Sequence, residues 1–176
     1  MGVEGRKDMR DWMSKAVVAL LVTLLLLPGV SHAIMLRQTA LVGLKGITVL
    51  VEDMNPEAER LGLTKAQIQT DVESRLRKAG IRVLTEKESA EMPGIHILYV
   101  RVNTNIKSGS VLCAVNISVV LKEDVTLETG FPTVGTIWNT EAVGSIETDN
   151  IRKIRGSVGD LVDRFINDYL AANPKK

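Results

Sequence analysis

Three cations lie close together near the start of the last amphipathic segment of the chain: Arg152, Lys153 and Arg155. Cations at the beginning of a helix oppose its dipole, which costs about a few tenths of a kcal/mol each. A basic patch there would suit an anionic partner, such as lipid headgroups or an acidic protein. Alternatively, these residues form a short basic turn before a separate helix that Ser157 and Asp160 cap. We take the three cations as the candidate contact with a partner.

Side chains suited to catalysis or metal binding are sparse. His96 is the only histidine beyond residues 1–33, and a lone histidine in a strand is typical of a structural role. Adjacent acids occur at residues 52–53 and 123–124, but neighbours in a strand point to opposite faces and cannot both reach one substrate. No P-loop, G-x-S-x-G, G-x-G-x-x-G or H-E-x-x-H pattern occurs. We therefore predict no enzyme, no metal site and no cofactor.

The single cysteine, Cys113, lies within the apolar stretch 111–115. One thiol cannot form an internal disulfide, so the domain must be held together by its core. We predict that Cys113 is a small buried hydrophobic residue. The functional alternatives are an intermolecular disulfide or a redox thiol, and no neighbouring base in the sequence supports the latter.

The beginning of the chain has the pattern of an export signal. Basic residues precede an apolar run over residues 16–27, and Ser-His-Ala at 31–33 supplies the small side chains that a signal peptidase reads. A charged start, a short apolar middle and a small-x-small end are typical of a secretory signal peptide. We predict a signal peptide over residues 1–33, cleavage near Ala33, and a single periplasmic or secreted α/β domain over residues 34–176.

A membrane anchor is the alternative for this segment. A helix needs about 20 apolar residues to cross a bilayer, whereas this run has 12 and a Pro-Gly helix breaker follows it. If the segment stays uncleaved, it would be the protein's contact with the membrane. A bacterial lipoprotein needs a cysteine just after the run, and residues 30–40 contain none. The start of translation is open between Met1, Met9 and Met13.

Charge and aromatic content argue against nucleic acid as a partner. The chain has 22 basic and 21 acidic residues. Residues 1–33 hold four of the bases and three of the acids, so the remainder is electrically balanced. A neutral domain has no long-range field to hold a polyanion. Aromatic residues make up only 3% of the chain, which leaves few platforms on which bases could stack.

Apolar periodicity predicts alternating strands and helices. Five strands are predicted, over residues 46–51, 81–84, 95–102, 111–126 and 136–143. Between the first two strands, Thr64 and Gln67 form a capping box, and Gly80 suits the left-handed position after the last turn of a helix. A second, long amphipathic helix is predicted over residues 151–170.

These elements predict a two-layer α/β sandwich. The first strand–helix–strand unit predicts a right-handed crossover with parallel strands, and residues 52–63 and 85–94 are predicted as loops or turns. Five strands would form a mixed sheet, with the two amphipathic helices on one face. The other face would carry Asn116, Ser118 and Lys122 if the helices cover the Cys113 side. Long exposed strands invite edge pairing, so a homodimer or a partner strand is expected.

The order of elements, with the phrase VESRLRKAGIRVL at residues 72–84, resembles the small α/β domains of bacterial envelope proteins. The amino-terminal domain of the translocation protein TolB and the curli-secretion CsgG-like group are of this kind, and the chain is also similar to uncharacterised secreted bacterial proteins. The resemblance implies a periplasmic domain that binds other proteins. The lipidation cysteine of the CsgG-like group and the propeller repeats of TolB are missing, and no functional residue is carried over.

The expected function is a non-enzymatic module of the cell envelope that binds another envelope protein or a second copy of itself. One alternative is a carrier of a small apolar ligand or lipid, which would need a large apolar pocket between the sheet and the helices. The other is an enzyme of unfamiliar type, which would need a cleft that gathers carboxylates from distant segments.

Overall fold

The computed structural model describes residues 39–174, except 93, 95 and 108. The predicted signal peptide and its cleavage point lie outside the described residues. The described elements are β1 (Thr48–Val51), α1 (Pro56–Arg60), α2 (Lys65–Lys78), α3 (Glu86–Glu91), β2 (His96–Ile106), β3 (Leu112–Thr126), β4 (Pro132–Glu147), a 3₁₀ helix (Thr148–Lys153) and α4 (Ile154–Ala172). No helix in this part of the chain is both long and apolar enough to span a membrane.

One sheet contains all four strands, in the order β1-β2-β3-β4. β1 runs parallel to β2, and the other two pairings are antiparallel. The register aligns Leu98 with Leu121, and Leu121 with Trp138, so one row of large apolar side chains crosses three strands on the same face. The predicted α/β sandwich with a mixed sheet is confirmed.

The sheet has four strands where the sequence predicted five. In the segment predicted as a strand over residues 81–84, Val83 forms one isolated parallel bridge with Ile47, and the ladder goes no further. It stops because α3 begins immediately afterwards, started by a capping box between Thr85 and Glu88. Residues that enter a helix cannot continue a strand, so α3 also replaces the predicted loop.

α2 begins and ends as its sequence predicts. Thr64 Oγ1 accepts from the Gln67 backbone N–H, and the Gln67 side chain accepts from the Thr64 N–H. At the other end, Gly80 has φ +82°, and the Ile81 N–H donates to the Leu76 carbonyl at 2.9 Å, as in a Schellman motif. The apolar stripe of the helix is fully buried; it consists of Ile68, Val72 and Leu76.

The core lies between the sheet and the two long helices. The side chains of β2 and β3 that face it alternate along each strand as predicted: Leu98, Val100, Val102, Cys113, Ile117, Val119 and Leu121 are buried. α4 contributes Phe165, whose ring meets Trp138 edge-on with centroids 5.1 Å apart. Trp138 Nε1 donates to Asp168 Oδ2 at 2.8 Å, and this hydrogen bond connects β4 to α4.

Two strands are longer than predicted. β2 continues to Ile106, and β4 extends over Pro132–Glu147 rather than over residues 136–143. The additional residues are mostly polar or exposed and show little apolar alternation. Their pairing is made by backbone hydrogen bonds with β3, which do not depend on apolar side chains.

The last helix differs from its prediction at its beginning. Residues 148–153 form a 3₁₀ helix, and the α-helix starts at Ile154. A short basic turn therefore does precede α4. Neither Ser157 nor Asp160 caps it, because its N-cap position is Lys153 and no side chain bonds there.

Candidate functional site

β4 forms a free edge of the sheet. β3 lies on one side of its 16 residues, and no described strand pairs with the other side. Most of its side chains are exposed, Val143 to 79%, and its one buried side chain is Trp138. An unpaired edge presents backbone donors and acceptors that can pair with another strand.

Over residues 140–147, this edge has no bulge, lysine or proline to prevent pairing, and its charged residues are Glu141 and Glu147. Natural edge strands are guarded by lysine, by internal proline, by bulges or by shortness. β4 contains no lysine or arginine, and its only proline is its first residue, Pro132. The register shift with β3 falls at Leu121/Lys122, so residues 139–147 pair without interruption. The other edge strand, β1, has only four residues, and the bridge at Ile47 flanks it.

The sheet face opposite the helices is mixed in character. Asn116, Ser118 and Lys122 alternate with the core-facing residues of β3 and lie on it, as predicted, but Ser118 is buried. Lys122 Nζ sits 4.3 Å from the centre of the Tyr99 ring, and Glu52 lies beside the Tyr99 hydroxyl. Burial, together with Glu52, raises the pKa of Tyr99. The side chains of this face thus contact one another across the strands.

The three predicted contact residues do not form one continuous patch. Arg155 makes a bidentate pair with Asp71 of α2, with Nε–Oδ2 at 2.7 Å and Nη2–Oδ1 at 2.8 Å. This hydrogen-bonded pair lowers the pKa of Asp71 and raises that of Arg155. Arg152 Nε donates to the Leu61 carbonyl at 3.3 Å. Lys153 is exposed and bonds to no described side chain.

Two of these residues line a groove between α2 and the beginning of α4, which we call the basic groove. It has a volume of about 580 Å³ and is lined by Asp71, Ser74, Arg75, Lys78, Arg152, Arg155 and Gly156. Four cations thus face one carboxylate. Beside the groove, Arg75 Nη1 donates to Asp163 Oδ2 at 2.6 Å. Sequence reasoning missed Arg75 and Lys78 as site residues, since their position near the end of α2 already has a dipole explanation.

His96 and Cys113 have structural surroundings. His96 Nδ1 lies 3.2 Å from Glu123 Oε1, across the pairing of β2 with β3. The Cys113 side chain is fully buried, as predicted, and burial raises the pKa of its thiol. Among the described residues, no group of three or more His, Cys, Asp or Glu side chains is placed to hold a metal ion.

Comparisons with known proteins give structural likenesses only. No family model and no curated protein matches the chain. Three solved structures align with it at 12% identity. A minor lipoprotein from Acinetobacter baumannii (TM-score 0.40) covers 74% of this chain and 93% of its own. The alignment with the PelC dodecamer from Paraburkholderia phytofirmans has a TM-score of 0.41 and covers 73% of this chain and 90% of the PelC chain. The alignment with a hypothetical protein from Chlamydia trachomatis has a TM-score of 0.35 and covers 73% of this chain and 95% of that protein's chain.

Likenesses at these TM-scores carry no functional argument for this chain. Neither the TolB domain nor a CsgG-like protein is among these three structures.

Proposed function

We propose that the protein is a non-enzymatic, exported interaction module that binds a second copy of itself through the β4 edge. The observation that carries this proposal is the regular, exposed edge over residues 140–147, with which no described strand pairs on the outer side. Export rests on the signal pattern of residues 1–33, which remains a prediction.

The β4 edge is self-complementary in an antiparallel arrangement. A two-fold axis at Val143 sets this exposed side chain against its own copy. The same axis sets Glu141 against Ser145 and Thr140 against Ile146. No like charges then face each other, and β-branched residues meet as cross-strand pairs prefer. A symmetric dimer uses the same patch on both copies, so one edge serves for both partners.

Neighbouring apolar side chains favour the same surface. Val111 and Leu112 are 73% and 53% exposed, and they lie where β3 meets the end of β4. The Thr148 N–H donates to the Val111 carbonyl at 2.9 Å, which holds this end in place. These side chains lie one strand in from the outer edge of β4 and place exposed apolar surface beside the proposed contact.

The interior supports an interaction module over a carrier. The space between the sheet and the helices is filled by one cluster of buried side chains, which includes Leu98, Leu121 and Phe165. A carrier would need part of that space for its ligand.

Sedimentation equilibrium of the purified protein tests the pairing, with Val143→Lys as the disrupting variant. We expect the parent protein to form dimers. The Val143→Lys protein should be monomeric, because two lysines would face each other across the axis. Val134→Lys is the matched control, since Val134 is exposed on β4 but lies outside residues 140–147. It should dimerise as the parent does.

A parent protein that stays monomeric, or a Val143→Lys protein that still dimerises, would overturn the proposal. Far-UV circular dichroism of both variants confirms that the fold is retained. A monomer that binds a strand of a different envelope protein would likewise contradict self-pairing.

A further inference from the structure

We propose that the basic groove is a binding site for a small anion that carries a phosphate group. The inference is independent of the β4 edge, because the groove lies between α2 and α4, on the side of the sheet where the helices pack. Three features support it: the positions of the arginines, their N–H groups without a described acceptor, and the lack of apolar side chains among the lining residues.

Two of the groove's arginines lie against glycines; Gly62 is already required by its backbone, with φ +90°, whereas Gly159 has no such backbone requirement. A Cβ atom at Gly62 would lie 2.6 Å from Arg152 Nε, and one at Gly159 would lie 2.5 Å from Arg75 Nη2. Any other residue at either position would displace a guanidinium group. Gly159 stands inside a helix, where glycine costs about 1 kcal/mol relative to alanine. Gly159 therefore weakens α4 at the position where the Arg75 guanidinium group packs against it.

Carboxylates hold Arg75 and Arg155 in place but use only some of their N–H groups. Asp71 binds Arg155 through Nε and Nη2, and Asp163 binds Arg75 through Nη1. The remaining guanidinium nitrogens of both residues donate to no described acceptor. The same is true of the terminal nitrogens of Arg152 and of the Lys78 ammonium group. Side chains fixed before binding lose less entropy when a ligand arrives.

The lining selects the chemical class of the ligand. Five of the seven lining residues are charged, and the other two are Ser74 and Gly156. No apolar side chain is among these seven residues, so an acyl chain would find no hydrophobic side chain to pack against. Both walls are helices whose backbone groups bond internally, so a peptide would gain no backbone hydrogen bonds. Several convergent donors suit a compact anion with three or more acceptor oxygens, which a phosphate group has and a carboxylate lacks.

Titration calorimetry with inorganic phosphate and pyrophosphate tests the site, with chloride and acetate at equal ionic strength as comparisons. We expect both phosphates to bind and acetate to bind at least about tenfold more weakly, because charge-assisted hydrogen bonds are lost. Replacing Lys78 and Arg152 together by glutamine should weaken pyrophosphate binding by about tenfold or more.

Gly156 provides a matched pair of variants that should both fold. A Cβ atom at this position meets nothing within 4 Å. Gly156→Glu places a carboxylate in the groove, in the first turn of α4, where the helix dipole favours an anion. Gly156→Gln fills the same space without the charge. We expect Gly156→Glu to abolish pyrophosphate binding and Gly156→Gln to reduce it far less.

Vesicles distinguish the two sources of such a phosphate group. Cosedimentation with phosphatidylglycerol vesicles, lost in Gly156→Glu and absent with phosphatidylcholine, would assign the site to a lipid headgroup. Phosphate binding without cosedimentation would assign it to a soluble anion. The proposal is overturned if neither phosphate binds better than chloride, or if Gly156→Glu binds pyrophosphate as the parent does.

Discussion

The Arg75 guanidinium group occupies the position that a side chain at Gly159 would need. A Cβ atom at Gly159 would lie 2.5 Å from Nη2 and 2.6 Å from Cζ of Arg75. The two residues belong to different helices, so this close approach joins α2 to α4. It also explains why a helix rich in apolar residues contains a glycine at a buried position.

Two glycine substitutions in α4 should therefore differ in their effect on stability. Gly156→Ala should raise the free energy of unfolding by about 0.5–1 kcal/mol, since alanine favours helices and the space is open. Gly159→Ala should gain less, because the new methyl group displaces Arg75 and its pairing with Asp163. Urea denaturation measures both values. An equal gain in the two variants would contradict the contact.

Leu76→Ala tests the buried face of α2. The side chain is fully buried, and its removal should lower the free energy of unfolding by about 2–5 kcal/mol. The matched control is Leu127→Ala, at a position that is 51% exposed, where a change within about 0.5 kcal/mol is expected. Chemical denaturation gives both values. A similar small change for Leu76→Ala would mean that another face of the helix is buried.

The pairing of Asp71 with Arg155 predicts a dependence of stability on pH. Because Arg155 lowers the pKa of Asp71 below its ordinary value of 3.8, the folded protein binds this proton less readily than the unfolded chain. The stabilisation is present above the ordinary pKa and is lost as the pH falls through the folded value. Asp71→Asn should therefore destabilise most at neutral pH, and its effect should shrink below pH 3.8.

Urea midpoints of the parent and Asp71→Asn proteins between neutral and strongly acidic pH measure this dependence. A difference between the two proteins that stays constant down to the lowest pH would show that the pairing does not shift the titration of Asp71.

Cys113 should be chemically silent in the folded protein. Its side chain is fully buried, and burial raises the pKa of the thiol, so little reactive thiolate is available. We expect a thiol reagent to label it only as fast as the protein unfolds, and to label one thiol per chain in denaturant. Rapid labelling of the folded protein, or a disulfide-linked dimer on a non-reducing gel, would contradict the buried position.

Several local features could be predicted because neighbouring residues determine them. The capping box of α2, its glycine end and its buried stripe depend on contacts within a few residues, and all were found. The alternation of buried residues in β2 and β3 follows from the period of a strand. α3 had a local signal of the same kind, in Thr85 and Glu88, but it buries no side chain and lacks an apolar stripe.

The outcome for residues 81–84 shows where reasoning from neighbouring residues alone fails. Its β-branched residues favour a strand, and Val83 does make a parallel bridge with Ile47. The start of α3 ends the segment at residue 84, and whether the residues before it form a strand depends on how many partners they reach, which their own sequence does not specify.

The sequence by itself determined which faces of α2, β2 and β3 are buried, because side-chain direction follows from the backbone period. It also singled out Arg152, Lys153 and Arg155. Only the tertiary structure decided that Arg152 and Arg155 join Arg75 and Lys78 in one groove, and that β4 is the longer edge strand of the described sheet. The physical reason is that both depend on contacts between segments far apart in the chain, where helix packing and strand order, rather than local preference, set the distances.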